Sequence, residues 1–177
     1  MPVTTFIDIP RSVYDIISRW AEKAYPHEGC GLLIGRFDTG GAKRVVRLAP
    51  MENKLLKREF ADAASQNDPR AAEAAAARLS TLPPERQNRP EVGFAFDPNE
   101  FNRETLAAEK EGLDIVGVIH THPDHPPRPS QIDASQPFLA YWSNIIVSVQ
   151  KGQTVEMKSW FRESDDQPFD PEPLKIS

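Results

Sequence analysis

The chain has 177 residues, of which 39% are hydrophobic and 27% are charged, and its formal net charge is −5. This length suits one domain with a buried core and is short for two. An acidic chain lacks the basic surface that attracts nucleic acid or an anionic membrane, so we expect neither as a partner.

The charge is distributed unevenly along the chain. Residues 163–177 hold five acidic side chains against Lys175 and therefore contribute −4 of the total, while the remainder is nearly neutral. This segment also contains several prolines, and it is predicted to be a mobile acidic tail.

The number of cysteines and the lengths of the apolar runs indicate the cellular compartment of the protein. The single cysteine, Cys30, excludes an internal disulfide and a multi-cysteine metal site. The N-terminus shows no basic segment followed by an apolar run, and the chain shows no window of 18 uninterrupted apolar residues. We therefore expect a cytoplasmic protein.

The N-terminal part predicts a helix followed by a β-hairpin. Residues 10–24 are predicted to form a helix, because a proline suits its first turn and five apolar side chains lie at helical spacing: Val13, Ile16, Ile17, Trp20 and Ala24. The apolar run 30–37 is typical of a buried strand, with glycines where another backbone comes close. Residues 38–41 are predicted to turn the chain into a returning strand over 43–48.

Residues 53–90 differ in composition from the rest of the chain. They are rich in alanine and in charge, and they hold almost no large apolar side chains. A helix is predicted over 69–79 and a loop over 81–90. We interpret the segment as a surface insertion that is ordered weakly or only on contact with another molecule.

The C-terminal part predicts alternating strands and helices. After a predicted strand over 92–96, Asp97 is placed to cap a helix that continues to about Glu111 and ends at Gly112. Further strands are predicted over 114–119, 144–149 and 154–161. Together these elements indicate one α/β domain over residues 1–162, with a mixed sheet between helices.

Three of the four histidines lie in one stretch, HTHPDHPPRPSQID, at residues 120–133. His120 and His122 end a predicted strand, and because alternate residues of a strand share a face, their imidazoles project together. Asp133, in the first turn of a predicted helix, supplies a third ligand. Two nitrogens and one carboxylate leave a fourth tetrahedral position for water, as in a catalytic zinc site. Spacing alone leaves open the alternative of a solvated turn.

Two other residues, Ser130 and Glu28, have candidate roles in this chemistry. Ser130 is either an N-cap for that helix or a hydroxyl that stabilises an oxyanion. Glu28, in a glycine-flanked break before the strand at 30–37, is the strongest candidate for the general base of a zinc hydrolase. His125 has no spacing relation to the others and is expected to be an exposed loop residue. Other histidine-based zinc patterns, HExxH and that of the zinc deaminases, are absent.

The pattern His120-x-His122-Pro123, followed by Ser130-x-x-Asp133, resembles the JAMM motif of the MPN family of zinc metallopeptidases. The upstream stretch HEGCGLLIG at residues 27–35 resembles the glutamate and glycine-rich strand of the same family. The resemblance covers about residues 5–50 and 92–162. Residues 53–90 depart from it, because this segment is longer than in compact bacterial members. Family insertions near this place can border the cleft, so the resemblance implies that the segment contacts either the substrate or, in a homodimer, a second copy of the chain. The matching parts imply the MPN fold, a cytidine-deaminase-like α/β sandwich with a curved mixed sheet flanked by helices.

The resemblance also implies a role for each matching residue. His120, His122 and Asp133 would bind one zinc ion, and Glu28 would act as general base and then as proton donor to the leaving amine. Ser130 would help to stabilise the tetrahedral intermediate. Cys30 stands where bacterial members often have cysteine, and we interpret it as a packing residue.

The similarity to small bacterial members implies a substrate class. Such deubiquitinase-like enzymes are zinc peptidases or isopeptidases that cut after the C-terminal Gly-Gly of a ubiquitin-like or sulfur-carrier protein. Two alternatives stay open: a zinc hydrolase of small peptides or amides, and a non-catalytic MPN scaffold. The complete set of five site residues argues against the scaffold.

Overall fold

The structure, a computed structural model, describes residues 5–53, 94, 96–135 and 139–177. These residues form three helices, α1 (Arg11–Ala24), α2 (Pro98–Lys110) and α3 (Gln131–Ser135). They also form eight strands: β1 (Phe6–Ile9), β2 (Cys30–Phe37), β3 (Ala42–Met51), β4 (Asp114–Pro123), β5 (Ser143–Gln150), β6 (Gln153–Phe161), β7 (Asp170–Glu172) and β8 (Leu174–Ile176).

The eight strands form one mixed sheet in the order β7-β6-β5-β4-β2-β3-β1-β8. β4 lies inside the sheet, antiparallel to β2 and parallel to β5. The two outermost strands, β7 and β8, are separated in the chain only by Pro173. One segment therefore pairs with β6 on one side and with β1 on the other, so the sheet is strongly curved and nearly closed.

The helices cover the two faces of this sheet. α1 buries Val13, Ile17 and Ala21 in a cluster that includes Leu33 of β2. α2 buries Ala108 in a second cluster that includes Leu32 and Ile34. Because neighbouring residues of a strand point to opposite faces, the two clusters lie on opposite sides of the sheet. None of the described helices is long and apolar enough to span a membrane.

Most predicted elements in the described ranges are confirmed. The β2–β3 hairpin forms, and Asp97 caps α2 by accepting hydrogen bonds from the backbone N–H groups of Asn99 and Glu100. Gly35 stands at a register shift of this hairpin, where a Cβ atom would overlap the Arg44 carbonyl oxygen, so a close backbone approach requires glycine there.

Other predictions differ from the structure or fall outside it. The helix over 69–79 and the loop over 81–90 lie outside the described residues. Of the predicted strand 92–96 only Phe94 and Phe96 are described, and neither lies in a strand. Ile16, predicted to belong to the apolar face of α1, is 48% exposed. β1 was not predicted, because four residues are too short to show a periodic pattern.

The expectation of a mobile tail over residues 163–177 is wrong. This segment contains β7 and β8, and its Glu172 carboxylate lies 2.8 Å from the ammonium group of Lys43 on β3. Both side chains are buried, and Ser143 and Ser159 bond to the ammonium and the carboxylate, respectively. Burial lowers the pKa of Lys43, whereas the bond to Glu172 raises it, and the net shift is downward. The acidic segment is therefore held to the sheet by strand pairing and by a buried ion pair.

Replacing Glu172 with alanine is expected to lower the free energy of unfolding by about 3–5 kcal/mol, because it leaves the Lys43 ammonium buried without its counter-ion. Urea denaturation followed by circular dichroism measures this change. The matched control is Glu156→Ala, which breaks a half-exposed Lys–Glu pair on β6 and should cost about 0–1 kcal/mol. Equal losses in the two variants would show that the buried pair stabilises the fold no more than an exposed pair does.

Candidate metal centre

The two histidines of the HxH pattern lie within the sheet. β4 extends to Pro123, so His120 and His122 are strand residues, paired with Ile146 and Ser148 of β5. They alternate onto the same face, and each side chain is almost fully buried. Hydrogen-bonded neighbours on the sheet hold the backbone of both residues, so the points from which the two imidazoles project are fixed.

Asp133 completes a compact group with the two histidines. The Nε2 atoms of His120 and His122 are 3.0 Å apart, and the Asp133 carboxylate oxygens lie 3.1 Å from the first and 3.4 Å from the second. Three ligand atoms bound to a tetrahedral zinc ion at about 2.0–2.1 Å would be about 3.3 Å from one another. The observed spacing fits such an ion, and these three residues could hold a metal.

The orientation of the His122 ring is set by its second nitrogen. Nδ1 lies 3.0 Å from the carbonyl oxygen of Pro126, which can only accept a hydrogen bond. Nδ1 therefore carries the proton, and the Nε2 lone pair faces the other two ligand atoms. The His120 ring is stacked on Phe94, with ring centroids 4.7 Å apart.

The electrostatics of the group favour an ionised carboxylate. Burial alone would raise the pKa of Asp133, but the charges and hydrogen bonds of His120 and His122 hold it far below its usual range. Burial alone would lower the pKa of His122. The Asp133 carboxylate, the Pro126 carbonyl and the charge of Glu28 raise this pKa, and the net shift is upward. Asp133 is thus in the charged form that metal binding needs.

Ser130 is the N-cap of α3. Its hydroxyl oxygen accepts a hydrogen bond from the Asp133 backbone N–H at 3.2 Å, and its own N–H donates to the Asp133 carboxylate at 2.6 Å. This reciprocal pair fixes the Asp133 side chain. A hydroxyl that accepts a hydrogen bond keeps its own proton for donation, so the capping role is compatible with the predicted catalytic role.

The proline-rich loop between His122 and Ser130 is fixed through its carbonyl groups. The His125, Pro126 and Pro127 carbonyls accept hydrogen bonds in turn from the hydroxyl of Ser148, from His122 and from the indole N–H of Trp160. Because prolines have no N–H, carbonyls are the groups through which such a loop is held. The His125 side chain itself is exposed, as expected.

Glu28 lies beside this group of ligands. It is 4% exposed, and its charge contributes to the raised pKa of His122. A buried carboxylate next to the ligands is suited to proton transfer at a bound water.

A family model described as prokaryotic homologs of the JAB domain matches residues 10–163. The chain belongs to this family. The match covers both the Glu28 region and the HxHP…SxxD pattern, as the sequence resemblance implied. The JAB family includes metallopeptidases, and the nearly closed mixed sheet is its MPN fold.

Solved structures are similar to this JAB domain over nearly its whole length. A protein of Desulfitobacterium hafniense is 24% identical, with a TM-score of 0.68 over 97% of this chain and 93% of its own. A protein of Salinibacter ruber is 28% identical, with a TM-score of 0.63 over 96% and 91%. A JAB1/MPN domain protein of Archaeoglobus fulgidus is 18% identical, with a TM-score of 0.49 over 98% of each chain. No curated protein sequence is matched.

Cys30 is a packing residue in this JAB domain. It is fully buried and contacts the Met51 carbonyl oxygen through its sulfur at 3.8 Å. Burial, followed by the charges of Glu100 and Glu28, raises the pKa of its thiol far above the usual range. The thiol stays protonated and is not a nucleophile at neutral pH.

Proposed function

We propose that this JAB domain is a zinc-dependent peptidase or isopeptidase that hydrolyses the amide bond after the C-terminal Gly-Gly of a ubiquitin-like or sulfur-carrier protein. The observation that carries the proposal is the spacing of the His120, His122 and Asp133 ligand atoms, 3.0–3.4 Å, which fits a tetrahedral ion. Three protein ligands leave one coordination position open, as catalytic zinc sites do and structural ones do not.

The residues around the ligands have the chemistry of amide hydrolysis. A bound zinc ion would supply a Lewis acid that polarises the scissile carbonyl and makes water a nucleophile near neutral pH. Glu28 accepts a proton from the attacking water and returns it to the nitrogen of the leaving amine as the C–N bond breaks. The Ser130 hydroxyl donates a hydrogen bond to the carbonyl oxygen as negative charge develops on it.

The burial of the site supports a slender substrate. The side chains of His120, His122 and Asp133 are only 5–9% exposed, so a bulky residue cannot approach them without displacing neighbours. Two successive glycines let a peptide backbone approach closely, because neither carries a Cβ atom. A flexible Gly-Gly terminus of a protein fits this requirement.

The proposal is tested with sulfur-carrier and ubiquitin-like proteins that carry a short extension after Gly-Gly. Zinc-loaded protein should release the extension, which intact-mass spectrometry detects as a single cut after the second glycine. A matched substrate with Val-Val in place of Gly-Gly should stay intact. Equal cleavage of both substrates, or no cleavage by zinc-loaded protein, contradicts the proposal.

Short peptides that end in the same Gly-Gly-extension sequence distinguish a peptidase that recognises a protein from a hydrolase of small peptides or amides. If they are cleaved as efficiently as the protein fusions, the substrate is a small peptide or amide and the protein partner is not recognised. Zinc binding without hydrolysis of any of these substrates would support a scaffold.

A further inference from the structure

We infer that Thr121 is a positioning residue that fixes Glu28 relative to the metal ligands, an inference that rests on the proposed function. Thr121 lies between the two histidines of β4, and strand alternation directs its side chain to the opposite face from theirs. It is 1% exposed and does not belong to the ligand group. It pairs with Val147 of β5 on one side, and on the other side it bonds to the segment that carries Glu28.

Thr121 makes two hydrogen bonds to Gly29, the residue that follows Glu28. Its backbone N–H donates to the Gly29 carbonyl at 3.0 Å, and its hydroxyl oxygen accepts from the Gly29 N–H at 2.9 Å. In a regular antiparallel pair both bonds would be between backbone groups. Here the hydroxyl takes the second bond, immediately before β2 begins at Cys30.

The peptide group between Glu28 and Gly29 is thereby held at both ends. Its N–H donates to the Thr121 hydroxyl, and its carbonyl oxygen accepts from the side-chain amide of Asn53 at 2.8 Å. A planar peptide group with both ends bonded cannot rotate without breaking one of the bonds. The direction in which the Glu28 side chain leaves the backbone is therefore fixed.

Helix α1 restricts the same peptide from a third side. A Cβ atom on Gly29 would lie 2.9 Å from the Cβ of Ala24 and 3.0 Å from the Trp20 ring. The backbone thus lies close against α1, and without the Thr121 hydroxyl the Gly29 N–H would lose its acceptor. Since a misplacement of about 1 Å can cost about 100-fold in rate, a small rotation of this peptide is enough to impair a general base.

The test uses Thr121→Val, which replaces the hydroxyl with a methyl group of similar size, and Thr121→Ser, which keeps the hydroxyl. With a sulfur-carrier protein carrying a C-terminal extension, kcat of the valine variant should fall by about 10–100-fold while KM changes by less than about threefold. Zinc affinity, from competition with a chelator, should also change by less than about threefold. The Thr121→Ser variant should have a kcat close to that of the wild type.

Two readouts do not depend on activity. In zinc-loaded Thr121→Val, amide exchange measured by NMR should be faster at Gly29, and the carboxyl ¹³C signal of Glu28 should shift. Thr105→Val is the matched control: it removes a hydroxyl that bonds within α2, and it should leave kcat and both NMR signals unchanged.

The inference is overturned if Thr121→Val keeps full kcat, if zinc affinity falls in parallel with kcat, or if Thr121→Ser fails to restore activity. It is also overturned if the Gly29 and Glu28 signals do not change. A wild-type protein that cleaves none of the substrates contradicts the proposed function instead, and the NMR signals then decide the positioning role by themselves.

Discussion

The Asp133→Ala protein is expected to bind zinc more than about 100-fold more weakly than the wild type. Changes to residues that merely support metal ligands already cost about 10–100-fold in affinity, and Asp133 is itself one of three candidate ligands. Its loss leaves two neutral imidazoles and removes the only carboxylate of the group. Competition with a chromophoric chelator measures the change, and His120→Ala should behave in the same way.

The matched control for this variant is Asp114→Ala. Asp114 is exposed at the start of the same strand, β4, so the substitution removes an equal charge at the far end from the histidines. Both variants should remain folded, since the core lies on two faces of an eight-stranded sheet. An Asp133→Ala protein with zinc affinity within about tenfold of wild type would show that this carboxylate is not a ligand.

The second large effect is expected for Glu28→Gln, which should lower the rate of substrate cleavage by about 10²–10⁴-fold without loss of zinc. Glutamine has the shape of glutamate but cannot accept a proton, and general acid–base catalysis contributes a factor of that size. The measurement combines the time course of extension release by mass spectrometry with the zinc content of the purified variant.

Glu109→Gln is the control for this second prediction. Glu109 is an exposed residue of α2, and its substitution makes the same chemical change away from the ligands. If Glu28→Gln cleaves as fast as wild type, Glu28 is not the general base. If it loses zinc, Glu28 supports the ligands and the assignment of its role must change.

The grouping of His120, His122 and Asp133 was predictable because its signals are local. Two histidines at alternate strand positions share a face whatever the rest of the fold does. A serine three residues before an aspartate predicts an N-cap, and that cap is what orients the Asp133 carboxylate here. The prediction of Glu28 as a base depended on its glycine-flanked position and on the family resemblance, since the chain has many other acids.

The residues that support the site were not predictable in the same way. The Thr121 hydroxyl and the Gly29 N–H are 92 residues apart, and Trp160 reaches the Pro127 carbonyl across 33 residues. No periodic pattern in the sequence predicts either contact, because each depends on how β2, β4 and β6 are placed in the sheet. A threonine in a strand and a tryptophan in a strand each fit ordinary packing roles.

The C-terminal segment shows the same limit on a larger scale. Its acidic, proline-containing composition is typical of a mobile tail, yet Glu172 pairs with Lys43 across 129 residues of sequence. β7 and β8 have three residues each, which is too short for an alternating pattern. β7 and β8 form because the sheet is nearly closed, and that closure is a property of the whole fold.

We propose that His120, His122 and Asp133 hold one catalytic zinc ion. Anomalous diffraction from crystals of the zinc-loaded protein, collected at the zinc absorption edge, tests it most directly. We expect one strong peak about 2.0–2.1 Å from the Nε2 atoms of both histidines and about 2.0–2.2 Å from an Asp133 carboxylate oxygen. A zinc-loaded crystal with no peak among these three side chains would contradict it.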